Sequence, residues 1–275
     1  MQTKHVSFGG KLKYLIIPTM FVAGFIGRES HIGENEVEII YETSQSKSVL
    51  VGKNIVILPG HGGTSPKGES DTGAKYTQDE KIYFEKDIAL QTAKTLKNVL
   101  EQNGAKVFMS REEDKYLSSK EQALFANKQN PHVIISLHTN KAKDKDISGV
   151  ELWGYKSCDV DLLQEIYDLF SLDPKLSVRS PRLNKWDVVK KTNRPAVLIE
   201  MGFLKDVSKM IRPEFQQHFS QKLKLALENY FRNHPKAVTQ CVHPAKKMSI
   251  KKPFVFRPHA IKQDKQQLYR LARGQ

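Results

Sequence analysis

Apolar and polar positions alternate in two rhythms between residues 53 and 232. Residues 54–58 (Asn-Ile-Val-Ile-Leu) form a short β-branched run that reads as a buried strand, and 106–109, 133–137, 149–154 and 196–199 read as further strands. Helical spacing fills the intervals. Ile88, Ala89, Ala93, Leu96, Val99 and Leu100 repeat at the 3.6-residue period over 85–102, and Asn103-Gly104 is a good stop signal. Residues 119–128, 160–170 and 213–231 carry the same signature. Strands alternating with helices predict a single α/β domain whose largely parallel sheet is covered on both faces. No internal repeat interrupts the pattern.

The two ends behave differently. Lys4, Lys11 and Lys13 precede fourteen uncharged, mostly apolar residues, 14–27. A basic start before a short apolar run resembles an export signal or a short membrane anchor. As a helix it would span about 21 Å, short of a bilayer core, and Pro18 would weaken it further. Residues 28–50 hold Glu29, Glu34, Glu36, Glu38 and Glu42 against Arg28 and Lys47, an acidic linker with one expected strand at 37–41. The folded α/β domain is expected over 51–233. From 234 to 275 there are ten Lys/Arg and one acid, Asp264. This segment reads as a basic, largely disordered tail with one short helix near 263–272.

Charge and cysteine content narrow the function classes. Lys plus Arg is 44 against 30 for Asp plus Glu, a net +14, and +9 of that lies in the tail. Such a chain favours polyanionic partners: an acidic wall polymer, anionic lipid or nucleic acid. No zinc-finger or RNA-binding pattern accompanies the charge, so nucleic acid is the weaker reading. Cys158 and Cys241 are the only cysteines. They exclude a disulfide scaffold and a Cys-rich zinc module, so any metal would need His and carboxylate ligands.

Candidate chemistry gathers at strand ends. His61 follows the first buried strand in Leu-Pro-Gly-His-Gly-Gly, His138 follows 133–137 in Ser-Leu-His-Thr-Asn, and Glu200 closes 196–199 in Leu-Ile-Glu-Met-Gly-Phe. Ligand sites of open α/β sheets form beyond such ends. Glu200 stands out because a carboxylate after four apolar residues is costly unless paired; a salt bridge to Arg182 or Arg194 is its bland alternative. Glu85 opens a helix, where the dipole favours an acid in any case. Two His and one Glu make a catalytic zinc set, and a second Glu can serve as general base. These residues alone imply a metal-dependent hydrolase.

A longer series of motifs, in order, covers about 180 residues. Pro59-Gly60-His61-Gly62-Gly63 leads to Asp71-Thr72-Gly73-Ala74, then Glu85-Lys86-Asp87, Ser110-Arg111 with Asp114, Ala126-Asn127, Ser136-Leu137-His138-Thr139-Asn140, Gly149-Val150-Glu151 and Pro195 through Phe203. In this the chain resembles the zinc-dependent N-acetylmuramoyl-L-alanine amidases. The resemblance implies Zn²⁺ ligands His61, Glu85 and His138, with Glu200 as the catalytic carboxylate. It also implies a twisted, mainly parallel sheet and a peptidoglycan substrate, and the export reading of the N-terminus places the protein outside the cytoplasm: periplasm or cell envelope, secreted or anchored. Thr139 and Asn140 are expected to orient His138. Leu58 stands where the family usually has Asp, and Gln122 where Arg is frequent; both bear on pocket support rather than metal binding. The span 154–186 is too short for an inserted regulatory helix, which implies an open site. The rival readings are a zinc peptidase of related architecture and a basic polyanion- or nucleic-acid-binding protein.

Overall fold

The computed structural model describes residues 48–141 and 147–236, with Cys241, His243 and Ala245, and the backbone of 5–8, 12–18 and 37–39. Two units are distinct, 1–47 and 48–275. In the first, β1 (His5–Phe8), β2 (Leu12–Pro18) and β3 (Val37–Ile39) pair antiparallel in that order. The start of the apolar run is therefore a strand rather than a helix. Ile16 and Ile17 are β-branched, and Pro18 lacks the N–H that either element would need next. The rest of the run, 19–27, lies outside the described residues. No described helix is long and apolar enough to cross a membrane.

The second unit is built on a six-stranded sheet. Its elements are β4 (Asn54–Pro59), the hairpin β5 (Lys75–Gln78) and β6 (Lys81–Phe84), α1 (Glu85–Gln102), β7 (Lys106–Met109), α2 (Ser119–Lys128), β8 (Val133–Asn140), β9 (Glu151–Gly154), α3 (Asp159–Ser171), β10 (Arg182–Leu183), α4 (Asp187–Lys190), β11 (Ala196–Phe203), α5 (Val207–Met210) and α6 (Pro213–Asn233). The sheet order is β10-β9-β11-β8-β4-β7. Strands β7, β4, β8 and β11 run parallel. Strand β9 returns antiparallel to β11, so only that edge departs from the parallel pattern.

Alternation along each strand divides the core. Ile55 and Ile57 of β4 face one cluster with Ile88 and Leu96 of α1, Leu163 and Phe170 of α3, and Phe219 and Leu223 of α6. Val56 and Leu58 face the other, smaller cluster with Ala126 of α2 and Val188 and Val189 of α4. Both faces are thus covered, as a parallel sheet requires. Local signals agree with the tertiary result. Ser118 and Glu121 close a reciprocal capping box on α2. Pro213 stands at the start of α6. Gly104 takes φ +88° just beyond α1. The span 154–186 is occupied by α3 and β10, both integral to the domain.

The expectation of a loose tail needs one correction. Cys158 at the start of α3 is disulfide-bonded to Cys241, with Cα atoms 6.1 Å apart. Backbone bonds extend the attachment: Cys241 N–H donates to Asn193 O, Ser157 N–H to His243 O, and Ala245 N–H to Tyr155 O. The segment is therefore fastened beside a buried ion pair, Lys156 with Asp159, whose carboxylate also accepts the Ala196 N–H at the start of β11. Tail residues 237–240, 242, 244 and 246–275 lie outside those described. The disulfide closes a loop of 83 residues. Replacing both cysteines by serine is expected to cost about 2–5 kcal/mol, on the order of 5–15 °C in Tm. Thermal unfolding with and without reductant checks this; an unchanged Tm would show that the bridge does not hold the domain.

Candidate metal centre and catalytic carboxylate

The site lies where β4 ends and α1 begins, beside the last residues of β8 and β11, which run on past the expected ends at 137 and 199, so that His138 and Glu200 sit within the strands. Strand β4 ends at Pro59, and Gly60 N–H still donates to Leu137 O at 2.9 Å. His61 then takes a left-handed conformation, φ +59°. For a residue with a Cβ this costs roughly 1–2 kcal/mol, and such strain is characteristic of functional sites. Its ring is fixed by Asp71, whose Oδ1 lies 2.6 Å from Nδ1. Nε2 is thereby turned inward, 3.3 Å from Glu85 Oε1.

Glu85 is not a solvated helix-start acid. It is 5% exposed. Its Oε1 lies 2.9 Å from His138 Nδ1 and accepts the Thr139 N–H at 3.2 Å. Its Oε2 accepts the Ala74 N–H at 2.8 Å. The β5–β6 hairpin, which the periodicity did not reveal, delivers this residue. Asp79 and Glu80 at its tip have φ +49° and +61°, the backbone of a type I′ turn without its usual glycine. The hairpin folds 71–74 back beside Phe84, and Glu85 N–H donates to Ala74 O.

Ligating atoms of His61, Glu85 and His138 all lie within 4.8 Å of one another. Two imidazoles and a carboxylate form a donor set suited to a borderline divalent cation. The backbone is shaped around them. A Cβ at Gly60 would lie 2.3 Å from His138 Cε1, and one at Gly73 would lie 2.5 Å from His61 Cδ2 and 2.6 Å from Glu85 Oε2. Only glycine leaves room for the cluster. Arg111, 3% exposed, ties the surrounding loops through Pro59 O, Gly60 O, Lys86 O and Glu113 O.

Electrostatics couple the three groups. Burial disfavours the His61 imidazolium, but hydrogen bonding and charge from Glu85, then Asp71, push it up to about 9. Burial likewise raises Glu85, yet hydrogen bonds from His138 and His61 hold it well below the usual carboxylate range.

Glu200 sits on β11 between two ionisable neighbours, opposite His138 on β8 and opposite Glu151 on β9. Its Oε2 is buried without a hydrogen-bond partner. Burial, then the charges of Glu85 and Glu151, push it up to about 8, with His61 acting in the other direction. The salt-bridge alternative fails. Arg182 pairs with Glu151, and Arg194 donates to Pro131 O and Asn130 Oδ1.

Thr139 and Asn140 do other work than orienting His138. That ring is held by Glu85, and Asn140 Nδ2 donates to Glu151 Oε2 at 2.9 Å. Leu58 is buried among the apolar residues of the smaller cluster. Gln122 donates to Leu117 O, while its Oε1 is buried without a partner.

The model of the N-acetylmuramoyl-L-alanine amidase family matches residues 55–229. The chain belongs to this family. A probable cell wall amidase, LytH, of Staphylococcus epidermidis is 31% identical over 193 residues, 69% of this chain and 62% of that protein. LytH of Staphylococcus aureus is 29% identical over 198 residues, 71% of this chain and 64% of that protein. The chain thus spans less than two thirds of these relatives' length. Among solved structures, the catalytic domain of the amidase CwlV from Bacillus (Paenibacillus) polymyxa var. colistinus aligns at TM-score 0.59 and 26% identity, over 66% of this chain and 98% of that one. An N-acetylmuramoyl-L-alanine amidase of Clostridium difficile 630 aligns at 0.58 and 30% identity, over 66% of this chain and 97% of that one. The family match at 55–229 spans His61, Glu85, His138 and Glu200.

Proposed function

We propose that the protein is a zinc-dependent hydrolase of the amide joining N-acetylmuramic acid to L-alanine in peptidoglycan. The observation that carries this reading is the convergence of His61, Glu85 and His138 beside a buried carboxylate, Glu200, that has an unpartnered oxygen. His61, Glu85 and His138 would hold the zinc, which would supply Lewis-acid polarisation of the scissile carbonyl and acidification of water. Glu200 takes the attacking water's proton and passes it to the departing alanine nitrogen. Burial and the charges of Glu85 and Glu151 raise its proton affinity, with His61 acting in the other direction, which suits a group that must take a proton and hand it on. Digestion of whole sacculi tests the reaction. New amino termini on alanine, without new reducing sugar ends, are expected; cleavage only within plain peptides would favour the zinc peptidase reading.

Asp71 supports the centre through His61 Nδ1. Removing it by Asp71→Ala is expected to weaken zinc affinity roughly 10–100-fold, measured by competition with a chromogenic chelator. Unchanged affinity would remove Asp71 from this role.

Export is part of the same proposal. The Cys158–Cys241 disulfide suits an oxidising compartment, and the basic start with its apolar run reads as an address. Fractionation finding the intact protein in the cytoplasm with free thiols would overturn it. The basic tail is proposed to bind anionic wall polymer or lipid. Truncation after Ala245 keeps the disulfide and removes nine Lys/Arg. It is expected to weaken wall binding and flatten its salt dependence; a truncated chain with an unaltered salt curve would rule this out.

A further inference from the structure

Next to Glu200, on the outer side of the sheet, a second charged group is built with unusual completeness. Glu151 is the cross-strand partner of Glu200 and is almost wholly buried. Both of its oxygens are taken. Oε2 accepts Asn140 Nδ2 at 2.9 Å, while Oε1 serves Arg179 Nε at 3.1 Å and Arg182 Nη2 together. One carboxylate charge thus faces two guanidiniums, so one positive charge is left over on that side. The arginine side chains are 41% and 43% exposed, which leaves donors of each fork open to solvent.

The arginines are held in place rather than free. Arg182 is registered beside Trp153 across β10 and β9, and its guanidinium lies 4.1 Å from the centre of that indole ring. Trp153 packs in turn against Trp186 at 5.0 Å. Arg179 N–H donates to Val150 O, which pins its backbone to the residue before Glu151. Stacking and ion pairing from two directions pre-organise a planar donor fork, the geometry that matches a carboxylate. A fork fixed before binding loses less freedom when it binds.

We infer that Arg179 and Arg182, positioned by Glu151, form a subsite for a carboxylate on the peptide side of the scissile amide. This rests on the amidase reading for the location of that amide, one strand away at Glu200. The ligand class is a peptide whose residue after alanine carries a free carboxylate. Glu151 is a positioning residue here: its buried charge anchors one edge of each guanidinium, Arg179 Nε and Arg182 Nη2. The subsite would distinguish stem peptides by the charge of that residue, acid against carboxamide.

The test uses the full-length, zinc-loaded protein. Its probes are a muramoyl-L-alanyl peptide with a free α-carboxylate on the next residue and the same compound with that group as a carboxamide. Binding of the corresponding L-alanyl peptides is measured by calorimetry, independently of hydrolysis. Wild type is expected to prefer the acid by about 10-fold or more in both KM and Kd, in keeping with a charge-assisted bidentate contact. Arg182→Gln and Arg179→Gln are expected to erase most of that preference, with kcat changed less than ~3-fold and the carboxamide handled as before. Equal treatment of acid and amide by wild type overturns the subsite while leaving the amidase reading intact. Acid-selective binding without hydrolysis of either compound overturns the amidase reading and keeps the subsite. Equal losses on both compounds in the variants would mean the arginines act only through the fold, which also overturns it.

Discussion

Glu200→Gln is expected to lower turnover by roughly 10²–10⁴-fold and to leave bound zinc near the wild-type amount. Glutamine keeps the side chain's size and its hydrogen-bonding ability but cannot accept a proton. The geometry separates this residue from the proposed ligands. His61, Glu85 and His138 bring their ligating atoms within 4.8 Å of one another, and Glu200 stands outside that group on the neighbouring strand position opposite His138. Because the lost interaction belongs mainly to the transition state, KM should move much less than kcat. Zinc content by elemental analysis and turnover on the same preparation make the comparison. If zinc is lost with activity, Glu200 is a ligand; if turnover per folded molecule is normal, it has no part in the chemistry.

The same substitution carries a stability signature with a definite sign. Glu200 is pushed up to about 8 in the fold from an ordinary value of 4.5. Well below pH 4.5 both folded and unfolded chains hold the proton, and burial of the charge costs nothing. Between 4.5 and 8 the unfolded chain releases a proton that the folded one retains, so stability falls as pH rises. Above 8 the full penalty is present. Each pH unit separating the folded from the unfolded value is worth about 1.4 kcal/mol, so the penalty amounts to a few kcal/mol. Chelator-treated Glu200→Gln is therefore expected to melt higher than chelator-treated wild type at about pH 8, with the gap closing toward about pH 5. A gap that is constant with pH would mean the carboxylate is not held in a raised state. Such a gap would be the trade of stability for function expected if Glu200 is the catalytic carboxylate.

Much of this was legible in the sequence because buried parallel strands and amphipathic helices advertise their period. The run at 54–58 and the repeat over 85–102 became β4 and α1 with nearly unchanged bounds. His61, His138 and Glu200 were visible because each follows a run of apolar strand residues, although β8 and β11 continue past His138 and Glu200 to Asn140 and Phe203. Glu85 was ambiguous on local grounds, since a helix-start acid needs no further reason. Its role depends on the β5–β6 hairpin, whose turn residues Asp79 and Glu80 lack the glycine that announces a type I′ turn. The support for His61 was hidden for a similar reason. Asp71 reaches it across a loop of ten residues, and Arg111 reaches Gly60 from 51 residues away. Neither contact leaves a period. Nor does the pairing of Cys158 with Cys241, separated by 83 residues, which fastens part of a segment whose composition alone reads as disorder.

Removing a ligand should have a larger and qualitatively different effect from removing the base. His138→Ala and His61→Ala are expected to lose stoichiometric zinc, because two remaining protein ligands rarely hold a catalytic ion tightly. Glu85→Gln is expected to weaken zinc binding as well. Its Oε1 is the atom approached by both imidazoles and by the Thr139 N–H, so the amide would also upset the arrangement of His61 and His138. A readout other than activity comes from linkage. A ligand bound only by the folded state at a thousand times its Kd adds about 4 kcal/mol, so excess chelator should lower the wild-type Tm by several degrees. The same chelator should leave the Tm of His138→Ala unmoved, since no bound ion remains to be stripped. Glu200→Gln, by contrast, should respond to chelator as wild type does. A His138→Ala protein that still holds one zinc per chain and still responds to chelator would overturn the ligand assignment, whatever its activity.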